Sequence, residues 1–371
     1  MPSTITKHIV IIHGMGEPNT SELEKTAKLA LERIAKHFGP MRDITLKFHS
    51  VNYNVHFEQI RDMWKKSASD FSNKLSKGGV TGIKTNRIGD LVNTLTNVTN
   101  NAANNDGFLY THMLDTLLYK THFRGLINES VLEQLARILR TQQTSRSNMH
   151  LVAFSLGTAV IRDAFELMSS DEYRQFQTEG AYGSITLLSD VGGFVSEHSG
   201  ELDRLKPLSF FDADGVTKAL ITVKHKFDPI SMIRPFVAPQ GWRGLISTQG
   251  HLDITLESLE GFEDGKFVIT HDIGHYLRNP RCTIPLLRCI FDGRLSLDEA
   301  KTTAAFNEYY NSTFNVNNIE LTDLVSELQD SLGQSDDNWP IQFSGVTNPK
   351  EAIVELAKLL SSAPTVEKLM K

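Results

Sequence analysis

The chain has 371 residues, 40% of them apolar, with 20 Phe and 8 Tyr, enough to build the core of one large α/β domain with an extra segment or of two modest domains. Its net charge of −6 is mild and no basic block interrupts it, which disfavours nucleic acid or a strongly anionic membrane surface as a partner. No run of about 18 apolar residues occurs, and Met1 to His8 lacks the basic and apolar segments of a secretory leader, so no membrane span and a cytoplasmic location are expected.

Ile9-Val-Ile-Ile12 reads as a short strand buried on both faces, followed by the glycine loop His13-Gly14-Met15-Gly16. Ser21 and Glu24 form a capping-box pair ahead of a helix to about His37, with Leu23, Ala27, Ala30, Leu31 and Ile34 on one face. Residues 43–51 alternate like a second strand. From 56 to 121 the pattern changes to helical spacing (Phe57, Ile60, Trp64, Phe71), then a Gly/Asn-rich stretch, then a further helical segment around Leu114. This block reads as an insertion, whose apolar faces would either line a pocket as a cap or form plain core. Residues 125–140 are expected to return the chain to the sheet as a helix.

The run from Met149 to Phe154 ends abruptly at Ser155-Leu156-Gly157, and an apolar helical segment follows through Val160, Ala164 and Phe165. That is a strand, a tight turn and a helix with a serine at the apex. Such a turn strains the apical backbone and needs small residues two before and two after, here Ala153 and Gly157. The same geometry aims the backbone N–H of Leu156 at any oxyanion formed beside the serine.

Further strands are expected at 184–188, at 219–224 ahead of Asp228-Pro229, and at 266–270 leading into His271, with a helix over about 283–291. Cys282 and Cys289 would lie about 10 Å apart on that helix, too far to bridge. From Leu295 the chain is helical and polar, with helix starts at Ser296/Glu299 and at Asn348-Pro349/Glu351. The expected organisation is a domain over 1–294 and a helical appendage over 295–371.

A serine hydroxyl needs a histidine to take its proton and a carboxylate to orient that histidine. The Ala-x-Ser-x-Gly turn is a relaxed form of Gly-x-Ser-x-Gly, and here the chain resembles the α/β-hydrolase superfamily. That resemblance implies a mostly parallel sheet flanked by helices and catalytic residues in the order Ser, acid, His. It assigns Ser155 as nucleophile and Asp228 as acid, with Asp190, after the 184–188 strand, as alternative and Asp253 as a further one. For the base it offers His275 or His271. His275 is preferred because Tyr276 and a helix-opening Pro280 follow it, a spacing similar to that of lipase-like members.

The His13-Gly14-Met15-Gly16 loop resembles the His-Gly oxyanion loop of lipases and esterases, which implies that the Met15 N–H joins that of Leu156. A nucleotide-loop reading fails for want of a third glycine or a Gly-Lys-Ser/Thr. No His/Cys/Asp/Glu cluster has metal-ligand spacing, so neither metal nor cofactor is expected. Taken together, residues 7–55 and 122–292 resemble the lipase/esterase branch, in particular the intracellular DDHD-type phospholipase and GPI-inositol-deacylase-like groups. The implied activity is cleavage of a lipid or small acyl ester through an acyl-enzyme, with a thioester or amide as alternative bond and peripheral membrane contact left open. A different class of reading is a non-catalytic hydrolase fold that binds a partner through its helical tail.

Overall fold

The computed structural model describes residues 4–14, 20–39, 43–57, 119, 123–168, 173, 180–195, 205–207, 215–225, 228, 237–239, 242, 244–245, 248–256, 262–263, 266–267, 271–295 and 298–314. Six strands form one sheet: β1 (Ile5–Ile12), β2 (Ile44–Val51), β3 (Met149–Phe154), β4 (Tyr182–Leu188), β5 (Thr217–His225) and β6 (Gly250–Leu256). They lie in the order β2-β1-β3-β4-β5-β6 and every pair is parallel. Parallel strands must be covered on both faces, so the inner ones read as unbroken apolar runs. β3 and β4 are buried at every residue, whereas the edge strands β2 and β6 alternate with exposed or half-buried positions.

Helices close both faces. On one side lie α1 (Thr20–Ala35), α5 (Ile273–Arg278) and α6 (Pro280–Ile290), after the short α4 (Gly192–Val195) in chain order. Ala27, Ala30, Leu31 and Ile34 of α1 and Leu286, Leu287 and Ile290 of α6 pack there on Ile9, Ile11, Val152 and Ile221. On the other side α2 (Arg124–Thr141) and α3 (Leu156–Met168) cover Val10, Ile12, Leu151 and Ala153. The result is a three-layer α/β/α unit.

α3 is buried nearly all round, Arg162 and Asp163 included, so its charges need partners inside the protein. Arg162 pairs with Asp190. Asp163 receives both Arg124 nitrogens, at 2.8 and 2.7 Å, and the Tyr119 hydroxyl at 2.6 Å. Burial, then the Asp163 charge, push the Tyr119 phenol well above its ordinary 10.0, which keeps it a donor.

Several expectations need correction. The last sheet strand is β6, Gly250–Leu256, and not 266–270; Lys266–Phe267 instead pairs antiparallel with Phe262–Glu263 in a two-stranded ribbon. His251, Asp253 and Thr255 interrupt the apolar pattern of β6 because it is an edge, so it lacks the signal of an inner strand. α1 starts at Thr20, which puts Ser21 inside its first turn. α7 (Glu299–Phe314) begins at Glu299, and the Asp298 carboxylate accepts from the Ala300 N–H at 2.8 Å; Ser296 lies outside the described residues. Ala305 and Tyr309 of α7 are buried, and Glu308 bonds Arg33, Lys36 and His37 beside the end of α1.

Both cysteines lie buried and free on α6. Among the described residues no helix is long and apolar enough to cross a membrane. Met15, most of 56–121 (Ile60, Trp64 and Phe71 among them) and the Asn348-Pro349 helix start lie outside the described residues; Phe57, at the near end, is fully buried.

Candidate active site

The chain runs from β1 outward to β2, then returns to the other side of β1 as β3. The order therefore reverses between β1 and β3, and in open parallel sheets the crevice at the carboxyl ends of such a pair is where ligands bind. His13 and Gly14 follow β1, and Ser155 follows β3.

Ser155 has φ of +53°, the left-handed region expected of a strained apex, and only 1% of it is exposed. Its N–H still donates to Leu188 O of β4 at 3.0 Å, and its carbonyl accepts from the Thr158 N–H at 2.9 Å and the Thr158 hydroxyl at 2.7 Å. The turn is thus tied to the next strand and to its own helix. Gly157 is required by approach rather than by φ: a Cβ there would stand 2.3 Å from Ile12 O and 2.5 Å from His13 O. Ala153, two residues before the serine, is fully buried and fits within β3. Gly14 is required in the same way, since a Cβ on it would lie 2.8 Å from the Cβ of Ser155. The His-Gly loop therefore rests directly on the serine.

His13 itself turns away into the protein. Its Nδ1–H donates to Gly14 O at 2.6 Å, its ring stacks on Tyr53 at 4.7 Å, and the Tyr53 hydroxyl donates to His13 O at 2.5 Å. Burial drives its imidazole down to about 4, with the Gly14 contact opposing, so the ring is neutral at pH 7.

Asp228 follows β5 and His271 follows the ribbon after β6. His271 Nε2 lies 2.8 Å from Ser155 Oγ, and its Nδ1 lies 2.9 Å from Asp228 Oδ2. Ionised Asp228 can only accept, so Nδ1 carries the proton and Nε2 is left bare to accept from the serine hydroxyl. Burial alone would raise the Asp228 carboxyl; the His271 charge and hydrogen bonds from His271, Ser189 and Tyr276 outweigh it and hold the group well below the usual carboxylate range. Asp228 and Ser189 are fully buried, while His271 is 5% exposed. The arrangement can pass a proton from a serine hydroxyl to an imidazole whose positive charge is met by a buried carboxylate.

The preferred histidine, His275, is not the partner of Ser155; His271 is. The reason is the helix start. Asp272 N-caps α5, accepting from Gly274 N at 2.7 Å and His275 N at 3.2 Å, so His275 is wound into the helix while His271 stays on the extended approach to it. Asp190, the alternative acid, has both oxygens engaged elsewhere: Oδ2 with Arg162 and Oδ1 with the Gly192 N–H at 2.9 Å. Asp253 lies on β6 and bonds Thr222 and Lys224, each at 2.9 Å. Leu156 opens α3 directly after the serine, where its N–H belongs to the first helical turn. Met15 lies outside the described residues.

Two further residues belong to the site: Ser189, which no motif picks out, and Tyr276, which the sequence marks only as the neighbour of His275. Ser189 directly follows β4 at φ +50°, and its Oγ lies 3.0 Å from His271 Nδ1. Tyr276 on α5 donates its hydroxyl to Asp228 Oδ2 at 2.6 Å. A serine directly after a buried strand, as Ser155 is, is the one hint that Ser189 gives. No protein-family model, no curated protein and no solved structure matches the chain.

Proposed function

We propose that the chain is a serine hydrolase of α/β-hydrolase type, on the lipase/esterase side of that superfamily, acting on a carboxylic ester of a lipid or small acyl compound. The observation that carries this reading is the continuous chain Ser155 Oγ, His271, Asp228, with links of 2.8 and 2.9 Å, in which Ser155 and Asp228 stand just beyond the carboxyl ends of the parallel strands β3 and β5. The strained serine apex and the Gly14 loop resting on it support the same reading.

In the proposed reaction Ser155 Oγ attacks the ester carbonyl carbon while His271 Nε2 takes its proton. The imidazolium is stabilised by Asp228 through Nδ1. The negative charge gathers on the former carbonyl oxygen, met by the Leu156 N–H and, by resemblance, that of Met15; one such donor is typically worth ~3–4 kcal/mol in the transition state. As the tetrahedral intermediate collapses, the C–O bond to the alcohol breaks and Nε2–H protonates the leaving oxygen. Water, deprotonated by the same Nε2, then attacks the acyl carbon and releases the acid and free Ser155.

The test is hydrolysis of p-nitrophenyl esters of rising chain length, with thioester and anilide analogues alongside, and labelling by a fluorophosphonate. Ser155→Ala is expected to lose both, and His271→Ala to fall by at least ~10³-fold. His275→Ala should stay within a few-fold of wild type. Wild-type protein that neither takes the label nor turns over any of these substrates overturns the reading.

A further inference from the structure

The carboxylate of Asp228 is held by more than the imidazole. His271 Nδ1–H at 2.9 Å and the Tyr276 hydroxyl at 2.6 Å meet on the same oxygen, Oδ2. Ser189 adds a hydroxyl beside them. Tyr276 is fully buried, its ring 6.0 Å from that of Phe154 and 6.1 Å from that of His225, so the phenol has little room to swing away. It also belongs to the same short segment as His271, five residues on, with the Asp272 cap fixing the turn between them.

Resting on the serine-hydrolase reading, we infer that Tyr276 is a positioning residue of this site: its hydroxyl pins Oδ2 of Asp228 and so aims His271 at Ser155. An acid held only by the imidazole could rotate about its own side-chain bonds and carry the imidazole out of line. With Tyr276 on Oδ2, the carboxylate, the imidazole and α5 form one rigid body, and the segment that brings the base brings its own alignment. The same donor keeps the buried carboxylate ionised as charge develops on His271.

Among the described residues His271 ahead of α5 and Tyr276 on α5 bond Asp228, the neutral Ser189 at the end of β4 lies beside them, and His225 at the end of β5 packs edge-on against the Tyr276 ring. Removing the phenol leaves more of the Oδ2 charge directed at His271, so the pair takes up its proton at higher pH. Tyr276→Phe keeps the ring and its packing. Its ester kcat is expected to fall about ten- to a hundredfold, the range for a hydrogen bond to an ionised group, with KM within about twofold. The acid limb of its pH–rate profile should move upward. Fluorotyrosine at position 276, a stronger donor of nearly the same shape, should move the limb downward, and it serves as the test if Tyr276→Phe does not fold. A wild-type kcat with an unmoved limb in the variant that folds overturns the inference while fluorophosphonate labelling of the wild type stands. Wild type that takes no label overturns instead the reading beneath it.

Discussion

Gly157→Ala tests the geometry beneath the site without assuming any chemistry. The added Cβ would meet Ile12 O at 2.3 Å, His13 O at 2.5 Å and Ile12 C at 2.9 Å. Carbon and oxygen that are not bonded rest no closer than about 3.3 Å, so the start of α3 and the end of β1 must part by about 1 Å. Every clashing atom is backbone, and no side chain can rotate to relieve it. Overpacking of this kind destabilises by ~1–3 kcal/mol, and the upper end applies here. At an unfolding entropy of about 2.1 cal/mol/K per residue, ~3 kcal/mol in a chain of 371 residues lowers the melting temperature by about 4 °C. The displacement is also large on the scale of reaction geometry, where 1 Å is worth about 10²-fold in rate. Gly125→Ala is the control: it lies in α2 with nothing within 4 Å of an added Cβ, so it should be neutral or stabilise by up to ~1 kcal/mol. The assay is a thermal melt of both variants beside fluorophosphonate labelling. Equal melting temperatures for Gly157→Ala and Gly125→Ala would refute the close passage of α3 over β1, whatever the enzyme does.

Asp190→Ala leaves the Arg162 guanidinium buried without its carboxylate, with both groups only 6% exposed, and should cost about 3–5 kcal/mol in denaturant unfolding while the folded fraction still labels. Asp228→Asn should do the reverse, cutting turnover by ~10⁴-fold with little change in melting; loss of labelling in folded Asp190→Ala would exchange the two roles. Burial lowers His13 to about 4, and burial with the Lys7 and Lys218 charges lowers His150 to about 3, both from 6.5. The neutral rings therefore stabilise fully above 6.5, and that stability drains as pH falls toward those values, by about 2–3 kcal/mol per pH unit for the two together. An unfolding free energy that stays flat from pH 6 to 4.5 would contradict this. Glu308 is held down to about 2 from 4.5, first by the Lys36 hydrogen bond and then, against some burial, by Arg33 and His37, so its hold on α7 is complete above 4.5 and drains away as pH falls from there toward 2. The cluster is partly exposed, so Glu308→Gln should cost under ~1 kcal/mol and show instead as faster proteolysis near residue 310.

The inner sheet could be read from the sequence because burial on both faces leaves only one pattern, an unbroken run of apolar residues. β1, β3, β4 and β5 each carry it, and each fell where the runs were. β6 carries the alternating pattern of an edge, and the shorter apolar run at 266–270 imitates an inner strand better than β6 does. The same limit governs the histidine. His271 and His275 stand only four residues apart, on either side of the start of α5. What separates them is the Asp272 cap, a local hydrogen bond that decides where the helix starts and hence which imidazole remains outside it. Spacing borrowed from a resemblance favoured His275, whereas capping chemistry, visible in Asp272-Ile273-Gly274, would have favoured His271.

Ser155 and Ser189 show one local device used twice. Each directly follows a buried parallel strand, each bends into the left-handed region at φ +53° and +50°, and each keeps its N–H on the carbonyl of the next strand, Leu188 O at 3.0 Å and Val223 O at 2.9 Å. The bend costs about 1–2 kcal/mol for a residue with a Cβ. It persists because the strand hydrogen bond is retained while the side chain is lifted off the sheet. One lifted hydroxyl meets His271 Nε2 and the other meets Nδ1, so the imidazole is bracketed by adjacent strand ends. Replacing Ser189 with glycine would relax the bend and remove the hydroxyl, whereas alanine would remove the hydroxyl alone. If the bracket aligns the imidazole, both variants should lose a similar fraction of the labelling rate, with glycine the more stable of the two. A labelling rate that tracked stability instead would make the second serine a feature of the turn and not of the site.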